Sequence, residues 1–404
     1  MQPCLSLVAL VLTACGNLPP AVPTPAVREG GVRAAGVRAA EEILVSFKPG
    51  VQAQPLLQRL GIKARARLAA LNVLVVAAPD RAGALQALRR DPAVAWAEPN
   101  GVVRLPRPTG EAPALAFRVA QGGDPLIDQQ WGLAKLEASA AWGVTPGRRE
   151  VKVGVVDTGI YYKHPEFGDR VDPGFDFINR DDDARDDMMH GTHCAGIVAA
   201  GFDDGHGIAG VAPGVRLLAV KVMDQVGEGT WANIADGIVY ATQRRCDIIN
   251  LSLGASNSSY TLKQAVAYAV EAGVLVVAAM GNENTDTPSF PAAYPGVMAV
   301  GATKADDSRA GFSNVGAHIS VAAPGHRILS TVLYGKYEAV SGTSMAAPHV
   351  AGLAALLKSA HPDWTAAQLR ARIEATADDL GAPGQDPVFG HGRINARRAL
   401  TEAR

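Results

Sequence analysis

The 404-residue chain has little of several features that mark specialised classes of protein. Its four cysteines are too few for a disulfide-stabilised scaffold. Positive and negative charges nearly cancel, and a net charge of −1 gives no support to nucleic-acid binding by bulk electrostatics. No apolar run approaches the roughly 20 residues that a membrane-spanning helix needs. The remaining composition, 48% apolar and 19% charged, is typical of a globular protein of two or three domains.

The N-terminus has the pattern of an export signal. Residues 5–14 form a short apolar stretch that ends in Leu12-Thr13-Ala14-Cys15, which is the length of a signal-peptide core. This ending resembles a bacterial lipobox, although no Lys or Arg precedes the stretch. The resemblance implies a lipid anchor on Cys15 and an exported protein, either secreted or held at the cell envelope until processing. We interpret residues 1–15 as a signal peptide and 16–40, rich in Pro, Ala, Gly and Val, as a linker.

A small domain is expected over residues 41–107. Apolar patterning predicts the order strand, helix, strand, helix, strand, for residues 42–47, 51–60, 71–76, 82–90 and 94–100. This order is typical of a small α+β, ferredoxin-like unit, and no nucleophile, base or metal cluster occurs in it. Residues 108–123 are again rich in Pro, Gly and Ala, and we interpret them as a second linker and a processing region.

The charge distribution separates the two ends of the chain. Residues 1–123 hold 14 basic and 7 acidic residues, and the remainder holds 24 and 32. A basic N-terminal third and an acidic body suggest two units with complementary fields. Compositional drift along the chain would produce the same asymmetry.

The body of the chain, residues 124–404, alternates between strand and helix patterns. Continuous Val/Ile/Leu runs suit strands that are buried on both faces, and helical periodicity recurs between them. The predicted strands are 151–156, 217–222, 248–253, 274–279 and 297–301, and the predicted helices 231–243 and 260–272. The pattern indicates an α/β fold with a parallel sheet flanked by helices. Ligands of such sheets bind beyond the carboxyl ends of the strands.

Three motifs of the body carry groups suited to nucleophilic catalysis. Asp157 of Val-Val-Asp-Thr-Gly ends a buried strand, His190 of His-Gly-Thr-His opens a helix, and Ser344 of Gly-Thr-Ser-Met-Ala opens another. A hydroxyl needs an adjacent base, and the base needs a carboxylate that holds its tautomer. At a helix N-terminus, free N–H groups and the helix dipole also favour developing negative charge.

Each of these residues also has a structural interpretation when taken alone. Asp-Thr-Gly occurs in aspartic proteases, but those use two copies and this chain has one, and Asp157 would also suit a turn. His190 and His193 have a spacing that metal ligands use, yet no zincin Glu or cysteine pair completes a site. Ser344 would serve as a helix N-cap. The order Asp, His, Ser in one chain makes coincidence improbable.

With these motifs, residues 124–404 resemble a subtilisin-like serine endopeptidase. The resemblance implies that Asp157, His190 and Ser344 form a catalytic triad. It also places Asn282 of Met-Gly-Asn-Glu as the side-chain donor to the oxyanion. Residues 41–107 then resemble the inhibitory propeptide of this family, which is made in cis and removed by cleavage within 108–123.

The same resemblance implies a set of substrate contacts. The strand from Ser252 to Gly254 would line the primary specificity pocket, and the segment from Gly227 to Gly229 would form the opposite edge of the cleft. Trp231 would be a wall for a more distant apolar side chain of the substrate. Met280 stands where a smaller residue is usual and would narrow the pocket. Glu228 and Glu283 would border the cleft and favour basic substrate residues, unless they are solvated loop charges. The implied substrate-binding residues are Ser252, Leu253, Gly254, Gly227, Glu228, Gly229, Trp231, Met280 and Gly281.

Calcium is the one cofactor that the resemblance implies. Carboxylates and carbonyls on surface loops suit Ca²⁺, and Asp124, Glu166 and Asp204 match one family site, with Glu166 in place of the more usual Asp. A second candidate is the acidic loop that precedes His190. Its carboxylates are Asp176, Asp181 and Asp183, which Arg180 and Arg185 could instead neutralise.

The resulting hypothesis is an exported, autoprocessed serine endopeptidase, monomeric, that acts on polypeptides and has its own propeptide as a partner in cis. The alternative is a catalytically silent subtilisin-like fold that serves as a binding protein. Cys4 would leave with the signal peptide. Cys194 and Cys246 are expected to be buried free thiols rather than a disulfide.

Overall fold

The computed structural model describes residues 41–105 and 123–403. The predicted signal peptide, Cys15, the linker 16–40 and all but the last residue of 108–123 lie outside the described residues. The described residues belong to one compact unit. Within the described ranges, no helix combines the length and apolar character that crossing a membrane requires.

The N-terminal domain (residues 41–105) is built on a four-stranded antiparallel sheet with strand order β2-β3-β1-β4. Its elements are β1 (Glu42–Phe47), α1 (Ala53–Arg59), β2 (Lys63–Leu68), a 3₁₀ helix (Ala69–Leu71), β3 (Val73–Ala77), α2 (Arg81–Arg90), β4 (Val94–Pro99) and β5 (Val102–Arg104). The arrangement β1-α1-β2-β3-α2-β4 confirms the predicted ferredoxin-like unit. The strand β2 was not predicted, because its Lys-Ala-Arg-Ala-Arg-Leu sequence is largely exposed and lacks an apolar face.

The C-terminal domain (residues 123–403) contains a large parallel sheet and eight α-helices among the described residues. Its strands are β6 (Lys152–Asp157), β7 (Val171–Asp176), β8 (Arg216–Lys221), β9 (Glu228–Thr230), β10 (Ile248–Leu251), β11 (Leu275–Ala279), β12 (Met298–Thr303), β13 (Ile319–Pro324), β14 (Ile328–Thr331) and β15 (Tyr337–Val340). Its α-helices are α3 (Trp131–Lys135), α4 (Ala138–Trp142), α5 (His190–Ala199), α6 (Trp231–Gln243), α7 (Tyr260–Glu271), α8 (Thr343–Ala360), α9 (Ala366–Ala375) and α10 (Ala396–Thr401). Short 3₁₀ helices span Ile127–Gln129, Pro165–Phe167 and Leu333–Gly335.

The seven strands of the main sheet run in the order β13-β12-β11-β10-β6-β8-β7, and every pairing is parallel. This confirms the predicted α/β architecture, and five of the seven strands coincide with predicted runs. The two missed strands, β7 and β13, are the edges of the sheet. Because β11, β10 and β6 are neighbours, the residues that follow their carboxyl ends come together at one place.

The two faces of the sheet are covered differently. On one face, the buried helices α5 and α8 pack against each other and form a core with residues such as Val155, Leu217 and Val350. On the other face, α6 and α7 pack against the sheet, and Leu44, Val73 and Val75 of the N-terminal domain join that same cluster. The opposite side of the N-terminal sheet has its own small core with α1 and α2. The N-terminal domain therefore uses one sheet face for its own core and the other for the C-terminal domain.

Candidate active site

Asp157 and His190 are held together at the carboxyl end of β6. His190 Nδ1–H donates to Asp157 Oδ1 over 2.7 Å, and both side chains are buried. Burial by itself lowers the pKa of His190, but the Asp157 carboxylate outweighs it and holds that pKa well above its ordinary value. Gly191 permits this approach, because a Cβ there would lie 2.1 Å from the carbonyl oxygen of Gly159. The carboxylate therefore fixes both the tautomer and the orientation of the imidazole.

A buried carboxylate, which the sequence analysis did not single out, organises this pair. Asp186 Oδ1 accepts hydrogen bonds from Thr158 Oγ1 and from the backbone N–H of Met188 and Met189. Its Oδ2 accepts from the backbone N–H and Oγ1 of Thr192, at 2.9 and 2.6 Å, which caps the first turn of α5. Asp186 thus joins the residue after Asp157 to the helix that begins at His190. An acidic residue just before a helix start is the signal that could have identified it.

Ser344 is the second residue of α8 and lies close to two neighbouring strands. Its Oγ donates to the carbonyl oxygen of Ser252 at 3.0 Å, and its own carbonyl accepts from Ser252 Oγ at 2.7 Å. The Ser344 hydroxyl therefore faces a carbonyl in this structure. Among the described residues, His190 Nε2 takes part in no hydrogen bond, so it does not accept from this hydroxyl. As the second helical residue, Ser344 has a backbone N–H without an intrahelical acceptor.

Asn282 lies beside the start of the same helix. Its Oδ1 accepts from the backbone N–H and Oγ1 of Thr343, both at 2.9 Å, which leaves the Nδ2 amino group free to donate elsewhere. Gly281 precedes it with φ +102°, and a Cβ there would lie 2.4 Å from Asn314 Nδ2. Only glycine suits this backbone conformation and close approach. The turn after β11 therefore directs the Asn282 amide toward the N-terminus of α8.

A pocket of about 140 Å³ opens next to Ser344. The predicted residues Ser252, Leu253, Gly254 and Gly281 line it, together with Asn282 and Glu283. Met280 does not, which departs from the sequence interpretation. Side chains alternate along an extended chain, so Ala279 and Gly281 face the pocket while Met280 is buried on the α6 and α7 side. Met280 therefore does not narrow this pocket.

The N-terminal domain enters the cleft as an added strand. β5 pairs antiparallel with β9, with Val103 opposite Gly229 and Arg104 opposite Glu228. The N–H of Leu105 then donates to the carbonyl oxygen of Gly227 at 2.9 Å. The predicted substrate edge, Gly227 to Gly229, is thus occupied by the chain itself in the manner of a bound peptide.

Trp231, predicted as a wall for an apolar side chain, lies under this strand. A Cβ at Gly101 would come within 2.5 Å of its indole ring, and Val103 packs in the same cluster. Among the residues that the structure describes, the buried indole Nε1–H has no hydrogen-bond partner. The ring therefore supports the N-terminal segment through apolar contact alone.

Two side chains at the end of β4 cap helices of the C-terminal domain. Glu98 Oε1 accepts from Ser259 Oγ and from the N–H and Oγ1 of Thr261, and its Oε2 accepts from the N–H of Tyr260, all within 2.9 Å. Asn100 Oδ1 accepts from the N–H of Ala232 at 3.1 Å, in the first turn of α6. Free N–H groups at two helix starts are satisfied by the neighbouring domain.

The predicted calcium ligands form only a partial site. Glu166 is fully buried, and its Oε1 accepts from Tyr337 Oη and the N–H of Ile208, whereas its Oε2 has no partner within residues 41–105 and 123–403. Burial raises the pKa of Glu166 to about 7, and the charges of Asp204 and Asp124 act in the same direction. An orphaned carboxylate oxygen suits a cation. However, of the described His, Cys, Asp and Glu side chains, only Asp157, His190 and Cys194 bring three ligand atoms within 4.8 Å of one another.

The second calcium candidate is satisfied by its own loop. Asp176 accepts from the N–H groups of Ile178 and Asn179 and from Asn179 Nδ2, while Asp183 accepts from Tyr162 Oη. Asp181 accepts from the N–H of Asp183. These carboxylates shape the loop before His190 and do not converge on a common point.

The remaining sequence alternatives are resolved by hydrogen bonding and burial. His193 Nε2 binds the carbonyl oxygen of Glu338 at 3.0 Å, whereas His190 binds Asp157, so the two imidazoles do not share a metal. Cys194 and Cys246 are both buried and free, as predicted. Cys194 Sγ lies 3.4 Å from the carbonyl oxygen of Ser344, against the back of the site.

Comparison with known proteins identifies the family. The sequence profile of the subtilase family matches residues 148–392, about three fifths of the chain. The chain belongs to the subtilase family. Residues 39–100 of this subtilase match the fervidolysin N-terminal prodomain, so the ferredoxin-like unit is a prodomain.

Named relatives cover most of the chain. The thermophilic serine proteinase of Bacillus sp. (strain AK1) is 40% identical over 370 residues, which span 89% of this subtilase and 87% of the relative. Thermitase of Thermoactinomyces vulgaris is 43% identical over 69% of this chain and 98% of its own. Subtilisin NAT of Bacillus subtilis subsp. natto is 40% identical, with 78% of each chain covered. This subtilase is therefore a serine protease with a prodomain.

Proposed function

We propose that this subtilase is an exported endopeptidase in which Asp157, His190 and Ser344 form the catalytic triad. The observation that carries the proposal is the buried bond between His190 Nδ1–H and Asp157 Oδ1, beside a serine at a helix N-terminus. The bond to Asp157 leaves Nε2 available as a base, and Cys194 Sγ lies 4.0 Å from His190 Nδ1 and 3.4 Å from the Ser344 carbonyl oxygen, which supports a common site for the imidazole and the serine. These are the groups that acyl transfer to a hydroxyl requires.

Catalysis would begin when the Ser344 hydroxyl turns from the Ser252 carbonyl toward His190. His190 Nε2 takes the hydroxyl proton while Oγ attacks the scissile carbonyl, and the imidazolium then gives that proton to the leaving amine. Asp157 stays ionised and stabilises the imidazolium. Water next attacks the acyl-enzyme with His190 again as the base, which releases the carboxylic acid and restores Ser344.

Two donors would stabilise the oxyanion of each tetrahedral intermediate. The free Nδ2 amino group of Asn282 and the backbone N–H of Ser344 lie at the start of α8, where the helix dipole favours negative charge. The peptide substrate would lie along the two edges formed by Gly227 to Gly229 and by Ser252 to Gly254. Its residue before the scissile bond would enter the adjacent pocket.

Maturation would remove the prodomain, which covers the cleft in this precursor. We infer that residues 41–107 act as the inhibitor in cis, that 124–404 form the mature monomeric enzyme, and that autoprocessing cuts within 108–123. The antiparallel pairing of β5 with β9 supports this inference, since a substrate needs the same edge. If the export signal leads to lipidation of Cys15, the same cut would also release the protease from its lipid anchor.

Structural calcium is kept as a prediction for the loops around Glu166. Asp124, Glu166 and Asp204 would supply carboxylate oxygens, and the buried Glu166 Oε2 is the atom that most needs a cation. Bound calcium would stabilise the fold through binding to the native state alone. The test is a thermal unfolding scan with and without a chelator, repeated on Glu166→Gln, which should respond less.

The decisive test of the proposed function is the intact mass before and after treatment with a fluorophosphonate. We expect a loss of the first ~110–125 residues and one adduct, with Ser344→Ala remaining full-length and unlabelled. An unlabelled wild-type chain that remains so after residues 1–123 are removed would contradict the proposal and favour a silent binding protein.

A further inference from the structure

The strand that the prodomain places in the cleft contains a charge pair that the proposed chemistry does not use. Arg104 lies opposite Glu228 in the β5–β9 ladder, and its Nε is 2.6 Å from Glu228 Oε1. The neighbours of Arg104 face the other way, since Val103 and Leu105 are buried while the Arg104 side chain is 70% exposed. The ladder therefore presents an apolar, basic, apolar sequence to the enzyme.

Glu228 is held in place for this contact by its own loop. Its backbone N–H donates to Asp224 Oδ1, and its carbonyl accepts from the N–H of Asp224, both at 2.9 Å. Asp224 adds a second carboxylate to this edge, so the local charge is negative. The Glu228 side chain is only 30% exposed, which reduces the conformational freedom that it loses on pairing.

An extended peptide that replaces β5 would repeat this geometry. Main-chain hydrogen bonds to Gly227 and Gly229 fix the register, and side chains alternate along the strand. The residue at the Arg104 position must then face Glu228, whatever the rest of the substrate is. Glu228 can therefore distinguish substrates by the charge of the side chain at the Arg104 position.

We propose that Glu228 is a specificity-determining residue that favours a basic side chain at this position. The substrate class is a polypeptide segment with Lys or Arg between two apolar residues, as in Val103-Arg104-Leu105. This inference rests on the proposed function, because it assigns a preference to the same cleft.

The expected preference is modest, because both partners remain in contact with water. Exposed ion pairs stabilise by up to about 1 kcal/mol, which corresponds to about fivefold in kcat/KM. We expect Arg to exceed Gln about threefold at this position, and Glu to fall below Gln by a similar factor. Screening should reduce both ratios at high ionic strength.

The test uses internally quenched peptides Gly-Val-X-Leu-Phe-Ser, with X as Arg, Gln or Glu, and the processed enzyme. Mass spectrometry locates the cut, and kcat/KM is measured at low and high salt. Glu228→Gln should bring the three values together, and Glu228→Lys should invert their order. Glu271→Gln, which removes the same charge from the exposed end of α7, should retain the wild-type ratios.

The possible outcomes distinguish a failure of the specificity inference from a failure of the proposed function. If the enzyme reacts with a fluorophosphonate and cleaves all three peptides at equal rates, the specificity inference is wrong and the proposed function stands. An Arg preference that persists in Glu228→Gln would also overturn it. If no peptide is cleaved and Ser344 is unlabelled, the proposed function fails and the inference falls with it.

Discussion

Replacing Glu98 with Gln should loosen the prodomain far more than its small change in shape suggests. Glu98 is 5% exposed and accepts four hydrogen bonds from the start of α7. The amide carbonyl can keep the three donors now at Oε1. Its NH₂ group must then face the N–H of Tyr260, which leaves that donor without a partner.

The free-energy cost follows from these contacts. An unsatisfied buried donor costs about 1–3 kcal/mol, and a carboxylate at a helix N-terminus contributes about 0.3–1 kcal/mol that a neutral amide lacks. A total near 3 kcal/mol corresponds to roughly 100-fold in affinity.

The assay is inhibition in trans. Residues 41–105 are added as a separate polypeptide to the processed enzyme, and the inhibition constant is taken from progress curves. Glu41→Gln is the matched control, because Glu41 is exposed on the same domain and its carboxylate makes no hydrogen bond or ion pair with the described residues. A change of less than threefold for Glu98→Gln, or an equal change for Glu41→Gln, would show that this cap does not hold the prodomain.

Three further predictions concern the catalytic site and its pH dependence. Asn282→Ala should lower kcat about 10²–10³-fold with little change in KM, the size known for the equivalent donor in a subtilisin; a normal kcat would exclude it as the oxyanion donor. As the proposed base, His190 must be neutral for activity, and Asp157 raises its pKa despite burial, so kcat/KM should fall as the pH drops through a value above 6.5. Asp157→Asn should move that limb to lower pH, and an unmoved limb would contradict the assignment. Burial lowers the pKa of His193 to about 3 and of His349 to about 4, so the stability that each neutral imidazole contributes is complete above pH 6.5 and declines below it. Each should remove about 2 kcal/mol of unfolding free energy by pH 5, whereas the raised pKa values of Glu166 and Asp236 act in the opposite direction. The measured quantity is therefore the change in unfolding free energy between pH 7.5 and 5 in the wild type compared with that in His349→Gln, and equal changes in the two proteins would refute this.

The sequence allowed the centre of the fold to be predicted better than its margins. A strand buried on both faces, such as β11, is a continuous apolar run, and its short length favours a strand over a helix. The edge strand β7 contains Asp172, Pro173 and Gly174, and β2 alternates cations with alanine. One side of each faces solvent, so neither needs an apolar pattern.

The site shows a similar division. Asp157, His190 and Ser344 lie in local motifs, and a short stretch around each was enough to single them out. Asp186 and Glu98 belong to no such motif, because their importance comes from partners that only folding brings near. Glu98 meets Thr261 across 163 residues of chain, and no local pattern predicts such a contact. The prediction that Met280 lines the specificity pocket was wrong for a related reason. The turn after β11 determines which side chains of this extended segment face the pocket.

The pairing of β5 with β9 has a consequence for the enzyme after maturation. Within the described residues, β9 has no other strand beside it, so departure of the prodomain would leave an open row of backbone donors and acceptors next to Ser344, the proposed nucleophile. Loops of a second enzyme molecule can then take the vacant position. A purified preparation should lose activity by a process that is second order in protein concentration, and the cut prodomain should slow that loss as long as it stays in solution.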